Sequence, residues 1–165
     1  MNKKILIFAV ALMAVVTVTL PVSLVSATKP LPVSFSVTII PSGPPAAPKM
    51  AGNSDNGFVT PESDIFLTGG ISGTGTYSGR WVIHNSGDPE NVFVTSKGRY
   101  EIEATVDDKS GTLYFKACTK TGSGKPSTWR IVGGTGELAG LHGQGTFTAV
   151  DLFNYNYVGQ VHFDP

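Results

Sequence analysis

Cysteine is almost absent from this chain. Cys118 stands alone, so no internal disulfide can staple the domain, and no CxxC or Cys/His set exists for zinc. Charge is scarce as well: Asp, Glu, Lys and Arg make up 15% of the residues, with twelve bases against twelve acids and no block of one sign. Such a chain has nothing to condense onto DNA, RNA or an anionic membrane, so no nucleic-acid partner is expected. Histidine occurs three times, at His84, His142 and His162. Neither HxH nor HxxxH spacing occurs, which leaves a metal site unsupported. A helical period is missing beyond the first residues, which excludes a helical bundle and the alternating strand–helix order of a doubly wound fold.

Turn formers and strand formers are what the chain does have. Glycine occurs 20 times and proline 11 times in 165 residues, a composition suited to short strands joined by many turns in one domain. The first residues stand apart. Met1-Asn-Lys-Lys4 is a short basic region, Ile5 to Val25 is almost wholly apolar, and Val25-Ser-Ala27 supplies the small residues a signal peptidase needs. Residues 1–27 therefore read as a signal peptide and 28–165 as the single mature domain, secreted or at the cell surface. An uncleaved apolar segment would instead anchor the chain in a membrane. Loss of Lys3 and Lys4 leaves the mature chain weakly acidic.

Strand periods run through the rest. Leu31–Ile40 alternates, with Val33, Phe35, Val37 and Ile39 on one face. Residues 41–57 form a Pro/Gly-rich loop expected to be mobile. Ile65–Thr68 and Arg80–His84 read as short strands around a glycine-rich stretch, 69–77. Tyr100, Ile102, Ala104 and Val106 share a face, as do Leu113, Phe115 and Ala117 across a turn over Asp107–Gly111 in which Gly111 takes the positive φ. Glu101, Glu103 and Lys116 then face outward. Trp129–Val132, Gly145–Val150 and Asn154–Phe163 complete about seven or eight strands. They suit a sandwich or a closed antiparallel barrel, and closure removes the exposed edges that so few charges could blunt.

Two glycine runs imitate nucleotide motifs. Gly134-Thr-Gly-Glu-Leu-Ala139 matches GxGxxA, but the pyrophosphate site of that fingerprint needs a helix starting at the glycines. Gly140, Gly143 and Gly145 follow at once, and each would cost a helix about 1 kcal/mol. Gly122-Ser-Gly-Lys-Pro-Ser127 ends like a P-loop, yet Pro126 follows the lysine and Thr119 stands where the upstream glycine belongs. No cofactor is implied. The glycines Gly133, Gly134, Gly136, Gly140, Gly143 and Gly145 instead read as backbone corners, with Leu138 and Leu141 plugging a barrel end and Glu137 capping the turn.

The run Gly133-Gly-Thr-Gly-Glu-Leu-Ala-Gly-Leu-His-Gly-Gln-Gly-Thr-Phe147 resembles the signature of the allene oxide cyclase-like barrel superfamily. Within it, the run is similar to that of uncharacterised bacterial members whose domain has no assigned function. Plant dirigent proteins carry a looser Gly-Gly-Thr-Gly-x-Phe form. The resemblance covers roughly residues 31–165, of which the glycine motif alone is specific. It implies an all-β, eight-stranded antiparallel barrel with a central cavity, and assembly as a homo-trimer. It implies no activity, because no polar cavity residue of allene oxide cyclase can be matched to a position here.

Trp81, Trp129, Tyr155 and Tyr157 are the candidates to hold a small apolar ligand in a mouth or lumen, with core packing as the alternative for each. Arg80 and Arg130 each adjoin a tryptophan in a strand and must face the other way. No Ser/His/Asp set has a nucleophile context, and catalytic residues stay unassigned. Two functions remain open. The first, placed ahead, is a non-catalytic module that binds an apolar ligand or assembles with itself. The second is a cyclase or isomerase acting on an apolar substrate in the lumen, which rests on the superfamily resemblance alone.

Overall fold

The computed structural model describes residues 29–41, 43, 47–50, 52, 55–85, 90–121 and 125–164. The proposed signal segment lies outside them. Ten strands and one short 3-10 turn make up the regular structure of the described residues. They are β1 (Leu31–Ile40), β2 (Lys49–Met50), β3 (Gly57–Val59), β4 (Glu62–Gly69), β5 (Ser72–His84), β6 (Phe93–Val106), β7 (Lys109–Lys120), β8 (Ser127–Gly134), β9 (Leu141–Ala149) and β10 (Asn154–Phe163).

Eight of them close on themselves. The order β5-β4-β1-β10-β9-β8-β7-β6 returns from β6 to β5, and every pairing around the ring is antiparallel. The expected eight-stranded antiparallel barrel is therefore observed. Strands β2 and β3 add a flap on β5. Pro61 has no N–H to donate, and it separates β3 from β4. Those two strands then pair with successive stretches of β5, at Trp81–Ile83 and Gly73–Ser78. Lys49–Met50 thus forms a short strand inside the 41–57 segment read as a loop.

Alternation places the core. Val33, Phe35, Val37 and Ile39 are buried on β1, as are Tyr100, Ile102, Ala104 and Val106 on β6 and Leu113, Phe115 and Ala117 on β7. These are the faces the period of two predicts. The β6–β7 turn differs from the expectation. It is a two-residue turn at Asp107–Asp108, with φ of 50° and 62°. A pair of positive φ values matches the right-handed twist of a hairpin, and aspartate tolerates them. Gly111 lies within β7, where a Cβ would sit 2.0 Å from the Thr135 carbonyl oxygen. The two short strands expected at 65–68 and 80–84 are the long strands β4 and β5, and Gly73, Gly75 and Gly79 lie in the ladder.

The glycine motif closes one end, called the lower end here. Gly136 and Gly140 take φ of +59° and +75°, which only glycine adopts freely. Between them Gly136–Leu138 makes a single 3-10 turn. This drops Leu138 and Leu141 into the barrel, 0% and 1% exposed, and they plug that end as the sequence implied. Glu137 does not cap its own turn. Its carboxylate accepts a hydrogen bond from the Ser110 amide at 3.0 Å, tying the plug to the β6–β7 hairpin.

Candidate functional site at the upper mouth

The barrel centre is built from inward aromatic positions on six strands. Tyr100 on β6 and Tyr157 on β10 lie four strands apart in the ring of eight, so they stand on opposite walls. Their hydroxyls meet at 3.1 Å. Phe35 on β1 and Phe115 on β7 are also diametrically opposed, with ring centroids 6.2 Å apart. Phe35 and Phe147 both stack on Tyr157 at 4.8 Å, and Tyr100 stacks on Phe115 at 4.1 Å. Contacts that span the full diameter leave no open channel at this level. Instead of the central cavity that the family resemblance implies, an aromatic plug fills the middle.

Trp129 belongs to the plug. It is 2% exposed, and its indole N–H donates to the Val158 carbonyl at 3.1 Å. The ring lies across Gly145 and Gly159, which are paired on β9 and β10. A Cβ on either would come within 2.7 Å of the indole. Gly145 of the glycine motif is thus a slot for a tryptophan, which answers what that glycine does.

Above the plug the lining changes. Trp81 and Tyr155 are half-buried and face inward from β5 and β10, three strands apart around the ring. The indole of Trp81 donates to the Tyr77 hydroxyl at 2.7 Å. The Tyr155 hydroxyl donates to the Leu152 carbonyl at 3.1 Å. Thr119 and Ser127 meet hydroxyl to hydroxyl on the wall between β7 and β8. Among the described residues no charged side chain is buried.

The phenols are neutral acids here. Burial pushes the Tyr100 and Tyr157 hydroxyls well above the usual tyrosine range. Burial also raises Tyr77, against a smaller lowering from the Trp81 N–H that it accepts. Tyr155 is raised by burial and then by the nearby Asp151 carboxylate. Asp151 itself is held below the usual carboxylate range by the Asn154 side-chain amide and the Phe153 N–H.

The structure therefore divides the four sequence candidates. Trp129 and Tyr157 lie in the plug, their rings 6.3 Å apart, while Trp81 and Tyr155 stand at the mouth. Arg80 and Arg130 point outward, opposite their tryptophan neighbours as expected. Phe35, Tyr77, Tyr100, Phe115 and Phe147 are the further aromatics of the interior. The inward parity of Phe35, Tyr100 and Phe115 was legible, that of Tyr77 and Phe147 was not assigned, and the meeting of all five across the barrel depends on closure.

The other chemistry-bearing residues lie elsewhere. His84 stacks on Phe93 at 4.3 Å. His142 contacts Asp164 at 2.9 Å and stacks near His162 at the lower end. No group of three or more His, Cys, Asp and Glu able to hold a metal occurs among the described residues. Glu103 faces outward and accepts from the Thr112 hydroxyl at 2.9 Å.

Comparison with known proteins agrees with this fold. No curated protein matches the chain. A DUF3224-family protein of unknown function from Shewanella oneidensis MR-1 is 15% identical, with a TM-score of 0.59 over 83% of this chain and 98% of that one. The pterocarpan synthase dirigent protein PsPTS1 is 19% identical, with a TM-score of 0.51 over 85% of this chain and 99% of that one. Both likenesses show the barrel. Residues 34–157 match the family described as protein of unknown function DUF3224, and the chain belongs to that family.

Proposed function

We propose that this barrel is a non-catalytic module that takes a small, flat, apolar ligand at its upper mouth, between Trp81 and Tyr155. One observation carries the reading. Two partly exposed aromatic side chains face inward above a core that is closed from wall to wall. A ligand on such a floor would gain apolar burial and ring contacts at the mouth without having to open the plug. The mouth hydroxyls of Tyr155, Thr119 and Ser127 would orient a polar edge of the ligand.

The chemistry of the lining favours binding over turnover. A cyclase or isomerase needs a group poised to give or take a proton near neutral pH. The phenols at hand are shifted away from that range. Export would put the module outside the cytoplasm, a proposal resting on the basic-apolar-small order of residues 1–27. A homo-trimer is likewise a proposal, resting on the superfamily resemblance.

The test is titration of the full chain with a neutral apolar fluorophore, N-phenyl-1-naphthylamine, while exciting tryptophan. Saturable energy transfer is expected. Trp81→Ala should weaken binding about tenfold, the loss of one well-packed aromatic contact, whereas Trp129→Phe should retain it. Absence of saturable binding, or equal binding by Trp81→Ala, overturns the reading.

A further inference from the structure

Net charge conceals how the bases are arranged. Outward-facing Arg99, Lys116 and Arg130 lie directly opposite one another on β6, β7 and β8. Two residues along the barrel, Arg80 on β5 lies directly opposite Lys97 on β6. Five cations therefore occupy two adjacent rows, in three like-charged cross-strand pairs. Like charges directly opposite destabilise a sheet, and acids were available: the chain has as many acids as bases. None of the five engages a carboxylate among the described residues. Arg80 lies over the Phe58 ring at 5.7 Å. The acids nearest the rows are Glu62, opposite Ser78 on β5 and so in line with Arg99 two strands away, and Glu101, one outward step along β6 from Arg99 and opposite Tyr114.

Two open grooves lie along these rows. A groove of about 660 Å³ runs along β7–β10 past Lys116 and Arg130, and a second of about 510 Å³ runs along β5–β7 past Arg80, Lys97 and Arg99. They share Lys116 and Cys118, so they adjoin along β7, and together they are the outer trough. Beyond Arg130 the same row continues into Gln144 and Gln160. Thr128 and Thr146 lie beside them on the next row.

We propose that this outer trough binds an acidic polysaccharide. The cation row would take carboxylates spaced along a polymer, and the amide and hydroxyl row would take sugar hydroxyls. The one aromatic residue that lines either groove is Trp129, and it is 2% exposed with its indole held across Gly145 and Gly159, so no ring is presented there to stack a nucleobase. The lining also presents no exposed large apolar side chain that would enter a bilayer. Three like-charged pairs cost stability in the free protein, and an anionic polymer would relieve them. The site is separate from the mouth and does not depend on the ligand proposed there.

The lone thiol reports on the trough. Cys118 is exposed and lines both grooves, and it is the chain's single cysteine, so alkylation by neutral iodoacetamide reads occupancy at this position. Polygalacturonate should slow that reaction saturably in the full chain, and the effect should fade as salt rises from about 50 mM to about 200 mM. Dextran should do nothing. Lys116→Glu places an acid between Arg99 and Arg130. It should weaken polygalacturonate binding about tenfold and raise Tm by about 2–4 °C, a pairing of effects that a misfolded variant cannot produce. The proposal is overturned by no protection from polygalacturonate at low salt, by equal protection from dextran, or by undiminished binding to Lys116→Glu. Tighter binding to duplex DNA or to phosphatidylglycerol vesicles also overturns it.

Discussion

Removing one hydroxyl from the barrel centre should cost more than removing two. The Tyr100 and Tyr157 hydroxyls meet at 3.1 Å across the full diameter, and neither has another hydrogen-bond partner among the described residues. Tyr157 is 0% exposed and Tyr100 6%. The Tyr100 ring is pinned on Phe115 at an interplanar angle of 8°, so it cannot swing to water without breaking that stack. Tyr157→Phe keeps the ring and strands the Tyr100 phenol, and a buried polar group left unpaired costs about 1–3 kcal/mol. Tyr100→Phe does the reverse at similar cost. The double variant removes both polar atoms and leaves two phenyl rings in an apolar plug, with an expected cost of about 0–1 kcal/mol. The cost of the double variant less the sum of the two singles should therefore be a coupling of about 1–6 kcal/mol in favour of the double variant. Equilibrium urea unfolding, followed by far-ultraviolet circular dichroism with a constant m-value, measures all four corners of the cycle. A double variant destabilised by the sum of the singles would refute the reasoning. It would mean that each phenol finds water, and that the barrel is open where the plug is described.

Two further outcomes test the core. Leu138→Ala should destabilise by about 3–5 kcal/mol, because a fully buried leucine is removed from the lower-end plug; urea unfolding measures it, and a loss under about 1 kcal/mol would mean the 3-10 turn collapses freely to fill the gap. The buried phenols also set an alkaline limit. The folded state raises the Tyr100 and Tyr157 pKa values above their unfolded values, so their contribution is complete below about pH 10 and is lost as pH rises toward the folded values. Above pH 10 stability should fall by up to about 1.4 kcal/mol per pH unit for each of the two. The Tyr100→Phe/Tyr157→Phe variant should lack that part of the slope in urea unfolding at stepped pH.

The faces of the strands were legible because burial has a period of two and this chain obeys it with few exceptions. Val33 to Ile39, Tyr100 to Val106 and Tyr155 to Phe163 each declare an inner side without any knowledge of partners. The ends of strands were harder. The glycine-rich stretch 69–77 was set apart from the strand at Arg80–His84, yet β5 runs from Ser72 through Gly73, Gly75 and Gly79 to His84. Glycine carries no side chain to show parity, and the space at Gly79 and Gly98 is filled by the Tyr77 ring from within the barrel. The β6–β7 turn was misplaced for a related reason. Glycine is the usual bearer of positive φ, so Gly111 drew the assignment that Asp107 and Asp108 hold.

The sites were less legible than the faces, since both depend on register between strands. Parity puts Trp129 and Trp81 inside alike, but closure sends one into the plug and leaves the other at the mouth. Likewise Arg99, Lys116 and Arg130 are separated in sequence by 17 and 14 residues, and nothing along the chain marks them as a group. The two-residue hairpin at Asp107–Asp108 fixes Arg99 opposite Lys116. The β-bulge between Tyr114 and Phe115 resets the ladder near its lower end, and above it Lys116 aligns with Arg130. A chain with a formal net charge of zero can therefore set three cations side by side in one row, because turn geometry rather than composition decides which side chains become neighbours. The same geometry makes the two proposals separable: the mouth is set by inward parity and the trough by outward parity, so a substitution on one face of a strand leaves the other face in place.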